Sequence, residues 1–208
     1  MKLIKKLITS ILLLAIVFAA GIWLFIEYLP YGYARQVDAQ EKKLREQIVA
    51  TAVKWYGTQE GTEMHAEIIQ IYNSHEPLAQ NYQVTTEDNW CAAFASTAAI
   101  ECDLTDIIPT ECGCQRQIGL WQELGRWEEN DNYLPLPGDY IYYTWDEEFS
   151  FGDCTGWADH VGIVAGTAGP IIKVIEGNWS DSVTYHYVLQ GDYQIRGYGL
   201  PNYASKSE

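Results

Sequence analysis

An uncharged stretch near the N-terminus constrains this chain more than any other feature. Residues 7–26 read LITSILLLAIVFAAGIWLFI, and a helix of about 20 apolar residues spans the hydrocarbon core of a bilayer. Lys2, Lys5 and Lys6 precede the stretch, and positively charged flanks favour the cytoplasmic side. The sequence therefore predicts a cytoplasmic N-terminus at 1–6, a transmembrane signal-anchor at 7–27 and a domain outside the cell.

A cleaved signal peptide is the alternative interpretation of the same stretch. The triplet VFA at 17–19 resembles the small-residue motif that precedes a signal-peptidase site. The apolar run nevertheless continues to Ile26, which is longer than an ordinary signal-peptide core. We therefore favour a single-pass protein of the cell membrane whose domain is extracellular, with secretion after cleavage as the alternative.

The charge of the chain limits the partners it can bind. The sequence holds 28 acidic and 13 basic residues, a formal net charge of -15 at pH 7. An acidic surface repels polyanions, so we exclude nucleic acid as a partner. We interpret the acidity as a contribution to solubility rather than as a means of choosing a substrate.

Hydrophobic periodicity divides the remaining chain into a helical half and a strand half. Apolar spacing predicts helices at 36–56, at 62–73 with Thr62 as N-cap, and at 91–100 with Asp88 or Asn89 as cap. Alternating patterns then predict strands at 139–144, 160–165, 171–176, 183–189 and near Arg196. Helices followed by consecutive strands indicate an α+β fold, with the helices packed on an antiparallel sheet.

The cysteines of this chain would face an exterior that permits disulfides. There are five, namely Cys91, Cys102, Cys112, Cys114 and Cys154. Up to two disulfides can form among the last four, and the sequence does not fix their pairing. The C-x-C at 112–114 differs from a C-x-x-C zinc knuckle and no second pair at ligand spacing follows it, so we expect no structural zinc site.

Cys91 stands at the predicted start of the third helix. The positive end of a helix favours the thiolate, which is the nucleophilic form of cysteine. A cysteine in an alanine-rich helix is more often a small buried hydrophobic side chain, so a catalytic role requires a base. Of the four histidines, His160 fits best because it opens an apolar strand directly after a polar loop, where its ring can face a cleft.

Glu176 and Asn178 are the candidates for orienting His160. They lie two residues apart on the next predicted strand and should share one face of the sheet. If the two strands are neighbours, either side chain can hydrogen-bond one ring nitrogen and leave the other for Cys91. The backbone N–H of Cys91 is the expected first donor to an oxyanion. The sequence alone does not choose between Glu176 and Asn178.

Five short segments follow one another along the chain in a characteristic order. They are WCAAF at 90–94, PGDYIYY at 137–143, DHVGIV at 159–164, EGN at 176–178 and GYG at 197–199. Together they resemble the CHAP family of cysteine, histidine-dependent amidohydrolases and peptidases, over about residues 60–203. The resemblance implies a papain-like fold and cleavage of amide bonds in peptidoglycan. It also implies Cys91 as nucleophile, His160 as base, and Glu176 with Asn178 as the orienting residues.

The resemblance also divides the chain. We expect a juxtamembrane linker and helix at 28–59, the catalytic domain at 60–203 and a tail at 204–208. Some members of the family bind calcium through an acidic loop, and this chain has an acidic loop with Asp146, Glu147, Glu148 and Asp153. We interpret that loop as a solvated turn and assign no cofactor, with calcium as the alternative.

The sequence thus predicts a membrane-anchored peptidoglycan hydrolase, with peptidoglycan and the bacterial membrane as its partners. It is either an N-acetylmuramoyl-L-alanine amidase or a peptidoglycan endopeptidase. One alternative is a surface scaffold or binding domain without turnover, although every catalytic residue type is present. Another alternative is a protease that acts on exported peptides.

Overall fold

The computed structural model describes residues 2–145 and 154–206. The acidic loop that we considered for calcium, with Asp146, Glu147, Glu148 and Asp153, therefore lies outside the described residues. The chain divides into two compact units, Met1–Tyr31 and Gly32–Glu208.

The first unit is built on one helix, α1 (Lys2–Glu27). Its segment Leu7–Glu27 is long and apolar enough to cross a membrane, judged by length and composition. The predicted apolar N-terminal helix is therefore confirmed. A retained anchor and an N-terminal signal sequence both meet this criterion.

The second unit is an α+β domain with an antiparallel sheet. Its helices are α2 (Ala39–Val53), α3 (Glu63–Asn73), α4 (Cys91–Glu101) and α5 (Cys114–Glu123), with short 3₁₀ turns at Ala79–Asn81 and Tyr203–Lys206. Its strands are β1 (Trp127–Glu128), β2 (Tyr140–Tyr143), β3 (His160–Ala168), β4 (Ile171–Trp179), β5 (Ser182–Leu189) and β6 (Ile195–Gly199). The strands pair antiparallel in the order β1-β6-β2-β3-β4-β5. The predicted fold class is confirmed at this level.

The start of α4 differs from the prediction. Trp90 is the residue before the helix, and its side chain makes no capping hydrogen bond. The assignment of Asp88 or Asn89 as the cap is therefore wrong. The Asp88 carboxylate instead accepts hydrogen bonds from the hydroxyl groups of Thr85 and Tyr82, at 2.8 and 2.9 Å, because it closes the loop that leads to the helix.

Helix α4 lies in the centre of the domain and is buried on every side. All of its residues from Cys91 to Ala99 are buried, and most of them are alanines. It packs against β3 and β4. At the closest point, a Cβ added to Gly177 would lie 2.5 Å from the Cβ of Phe94, so the strand backbone itself contacts the phenylalanine. This close packing fixes where the helix begins relative to the sheet.

Helix α2 belongs to the same compact unit, which begins at Gly32 and so reaches further toward the N-terminus than the expected boundary at residue 60. Its residues Ile48 and Ala52 are fully buried in the core. Arg45 forms a buried ion pair with Asp139, with Nη1 2.8 Å from Oδ1. The pair ties α2 to the residue that precedes β2.

Sequence patterns missed α5, β1 and the two 3₁₀ turns but located the other helices and strands. Thr62 caps α3 as predicted, since its side chain accepts a hydrogen bond from the N–H of His65. The buried face of α5 has helical spacing but includes one polar side chain; it consists of Cys114, Gln117, Ile118 and Trp121.

Gly177→Ala should destabilise the domain by about 1–3 kcal/mol, the usual cost of overpacking, because the new methyl group must displace Phe94. Gly119→Ala is the matched control, since a Cβ there meets nothing within 4 Å; it should be neutral or stabilising by about 0.5–1 kcal/mol. Chemical unfolding of the full-length protein in detergent micelles, followed by near-ultraviolet circular dichroism, measures both. Equal stability of the two variants would contradict direct contact between α4 and β4.

Candidate active site

The structure brings together three of the four side chains expected at the site. Cys91 is the first residue of α4, His160 is the first residue of β3, and Glu176 lies on β4. His160 Nε2 lies 3.1 Å from Glu176 Oε2, and Cys91 and His160 act on each other's pKa, lowering that of the thiol and raising that of the ring. Because Glu176 binds Nε2, Nδ1 is the ring nitrogen left to exchange a proton with Cys91.

A glycine makes room for the contact between Glu176 and His160. Strands β3 and β4 pair antiparallel, with Ile163 opposite Ile175, which places Gly162 beside Glu176. A Cβ on Gly162 would lie 2.6 Å from Glu176 Cγ. The absence of a side chain at this position therefore lets the carboxylate cross β3 and reach the histidine.

The Cys91 thiol is electrostatically prepared for nucleophilic attack. Its pKa is lowered well below the ordinary value, first by a hydrogen bond with the Cys114 thiol, against the opposing effect of burial, and then by His160. The sulfur atoms of Cys91 and Cys114 are 3.6 Å apart. The positive end of α4 favours the thiolate further.

The two partners behind the thiol are held in their charged forms. Burial lowers the pKa of His160, but contacts with Cys91 and Glu176 outweigh this and raise it to about 10. Burial raises the pKa of Glu176, but hydrogen bonds with His160 and His186 outweigh it and lower the pKa to about 2. These shifts together favour a thiolate, an imidazolium and a carboxylate in series.

Asn178 is not part of the series formed by Cys91, His160 and Glu176. Its backbone has φ of 58°, and the pairing of β4 with β5 is irregular between Glu176 and Trp179. The expectation that Asn178 shares a face with Glu176 depended on unbroken strand alternation, which this irregularity interrupts. Among the described residues, the Asn178 side chain makes no hydrogen bond with His160. Glu176 is thus the residue that the geometry favours for orienting the histidine.

Sequence reasoning missed His186, which holds the other side of the carboxylate. His186 Nδ1 lies 3.2 Å from Glu176 Oε1. On β5, His186 pairs with Val174 and Thr184 pairs with Glu176, so His186 is a diagonal neighbour of Glu176 on one face. The register of the β4–β5 hairpin would have revealed this contact.

Aromatic rings surround His160. The ring centroids of Tyr143, Trp145 and Trp179 lie 6.0, 5.8 and 5.6 Å from that of His160. Two further tryptophans lie near these segments in the sequence; Trp90 is fully buried and Trp157 is 72% exposed. Trp145 and Trp179 are therefore the tryptophans whose rings pack beside the histidine.

The backbone N–H of Cys91 is placed to receive an oxyanion. It begins α4, and no side chain of Trp90 caps the helix. None of the described residues accepts a hydrogen bond from this N–H. A carbonyl oxygen of a substrate attacked by Cys91 would meet this donor first.

All five cysteines are free thiols, so none of the disulfides allowed by the sequence is formed. Across residues 2–145 and 154–206, no group of three or more His, Cys, Asp or Glu side chains is arranged to hold a metal ion.

Comparison of the chain with protein-family models and with curated proteins gave no match. The geometry around Cys91 and the quoted sequence segments therefore carry the functional inference.

Cys91 should react with iodoacetamide at a lower pH than Cys102, whose pKa is raised by burial. The rate of labelling at each pH, measured on the full-length protein, gives the apparent pKa of each thiol. Digestion after glutamate separates Cys91 in peptide 88–101 from Cys102 in peptide 102–111, and mass spectrometry quantifies both. His160→Gln should raise the apparent pKa of Cys91 because the imidazolium is lost. The same apparent pKa of Cys91 in the wild type and in His160→Gln would rule out an ion pair between Cys91 and His160.

Proposed function

We propose that the second unit is a cysteine amide hydrolase of the CHAP type that cleaves peptidoglycan outside the cell. One observation supports this most strongly: a thiol at a helix start faces a histidine whose other nitrogen is held 3.1 Å from a buried carboxylate. This is the nucleophile, base and orienting residue of acyl transfer. A nucleophile-bearing helix packed on a base-bearing antiparallel sheet also fits the papain-like fold implied by the resemblance.

The acylation step follows from the charges. The Cys91 thiolate attacks the carbonyl carbon of the amide, forming a C–S bond and placing the carbonyl electron pair on oxygen. The N–H of Cys91 donates to that oxyanion. His160 then transfers its Nδ1 proton to the amide nitrogen as the C–N bond breaks. The products are a free amine and a thioester on Cys91.

Hydrolysis of the thioester reverses the proton transfer. Neutral His160 takes a proton from a water molecule, and the hydroxide attacks the thioester carbon. The C–S bond breaks, which releases a carboxylic acid and restores the Cys91 thiolate beside protonated His160. Hydrogen bonds with His160 and His186 lower the pKa of Glu176 to about 2 beside the imidazolium, and its negative charge stabilises the imidazolium that starts the first step and ends the second.

The location of the activity rests on the apolar N-terminal segment. With lysines before Leu7–Glu27, a retained helix would place the second unit on the outer side of the membrane. A tethered hydrolase would act on the layer of wall nearest the membrane. Cleavage of the helix would instead release the enzyme.

Wild-type protein in detergent micelles should release fragments from purified walls, while Cys91→Ala and His160→Ala should release none, because each removes a reacting group. Mass spectrometry of the fragments identifies the bond. Glycan strands freed of whole stem peptides indicate an amidase, and shortened or uncrosslinked peptides indicate an endopeptidase.

Two results would change the proposal. Cleavage of exported peptides without cleavage of walls would point to the protease, and walls left intact by a folded wild-type protein would point to the scaffold. Circular dichroism of each variant shows whether loss of activity reflects loss of fold.

Glu176→Gln should lower kcat/KM by about 100-fold or more, because the carboxylate no longer holds the imidazolium in place. Asn178→Ala is the matched control two residues away and should retain most of the activity. The two variants are compared on wall fragments of known concentration. A larger loss in Asn178→Ala than in Glu176→Gln would reverse the assignment of the orienting residue.

A further inference from the structure

The nucleophile has a second thiol beside it that amide hydrolysis does not require. Cys91 begins α4 and Cys114 begins α5, so two helix starts bring two cysteines to one point. Their sulfur atoms lie 3.6 Å apart, and the residues are only 4% and 7% exposed. The contact joins segments 23 positions apart in the sequence.

Two of the other three cysteines have hydrogen-bond partners elsewhere. Cys102 donates to the Thr51 hydroxyl at 3.1 Å, and Cys112 donates to the Glu111 carboxylate at 3.4 Å. Among the five cysteines, all of which are described, Cys91 and Cys114 are the pair whose sulfurs contact each other. A bond between them requires the sulfurs to approach from 3.6 Å to about 2.0 Å.

We propose that Cys91 and Cys114 form a site of reversible disulfide modification, which a low-molecular-weight disulfide such as oxidised glutathione converts to a Cys91–Cys114 bond. Formation of the bond does not depend on the proposed function. Its consequence does, because the bond would consume the nucleophile and switch hydrolysis off.

The exchange proceeds in two balanced steps. The Cys91 thiolate attacks one sulfur of the external disulfide, forms a mixed disulfide and releases one thiolate. The Cys114 thiol then loses its proton to solvent and attacks the Cys91 sulfur, which releases the second thiolate. Two protein thiols are oxidised, and one external disulfide is reduced to two thiols.

The two thiols are suited to these different roles. The pKa of Cys91 is lowered, first through its contact with Cys114, so it is the thiol that attacks first. The contact with Cys91 and burial raise the pKa of Cys114, which keeps it protonated until the mixed disulfide removes the neighbouring negative charge. An oxidant small enough to reach Cys91 meets the reactive thiolate first.

The test begins with reduced full-length protein in detergent micelles, incubated in native buffer with oxidised glutathione. Remaining thiols are blocked with N-ethylmaleimide, and the protein is cleaved after glutamate. The expected product is peptide 88–101 linked to peptide 112–123 and separable by dithiothreitol. Absence of this linked peptide, with glutathione retained on Cys91 or with both thiols blocked, would overturn the proposal.

Two serine variants assign the second sulfur, since peptide 112–123 contains both Cys112 and Cys114. Cys112→Ser should still form the linked peptide. Cys114→Ser should stop at the mixed disulfide between Cys91 and glutathione. A link that disappears in Cys112→Ser and persists in Cys114→Ser would overturn the assignment. If Cys114→Ser does not fold, the linked peptide in Cys112→Ser still identifies Cys114.

Wall cleavage provides the functional readout. Oxidised Cys112→Ser should lose at least about ten-fold in rate and recover after dithiothreitol, as the free thiolate fraction is lost and restored. Full activity in protein that carries the linked peptide would contradict the switch. Failure of the proposed function appears differently, because the reduced protein would then leave walls intact although the linked peptide still forms.

Discussion

The site depends on how closely α4 packs against the sheet. Alanines along the helix and Gly177 on β4 let the two backbones approach until Phe94 contacts the strand itself. A well-packed interior resists shifts of even one methyl group. The start of α4 is therefore fixed against the edge where β3 begins, and Cys91 and His160 meet because those two element ends meet.

The charges of Glu176, His160 and Cys91 then stabilise one another. A fully buried carboxylate is costly unless it is hydrogen-bonded and paired, and Glu176 has a histidine on each oxygen. The ionised carboxylate stabilises the His160 imidazolium, which in turn stabilises the Cys91 thiolate. Each charge is thus maintained by the next one. The aromatic rings around His160 limit access of water and strengthen these interactions.

Local sequence patterns predicted most of the helices and strands. The features that these patterns missed depend on long-range contacts. Strand alternation located β2 to β6, whereas α5 escaped because its buried Gln117 reads as a surface residue until its partners are known. Those partners are the carbonyl of Pro109 and the hydroxyl of Tyr142. At the site, Cys91, His160 and Glu176 followed from element starts and alternation. The contact of His186 with Glu176 can be predicted only when the register of the β4–β5 hairpin is known. Asn178 was assigned to the site because regular strand alternation was assumed, and β4 does not keep that alternation at Asn178.

Cys114 shows why the reactivity of the site and its sensitivity to oxidation are linked. A thiol hydrogen-bonded to Cys91 favours the thiolate, and the thiolate is the form that attacks both an amide carbonyl and a disulfide sulfur. In the extracellular location that we propose, such a nucleophile would meet disulfides that are rare in the cytosol. A neighbouring cysteine gives oxidation a reversible end point, because an intramolecular bond protects the sulfur from further, irreversible oxidation. The same contact can therefore serve activation in the reduced state and protection in the oxidised state.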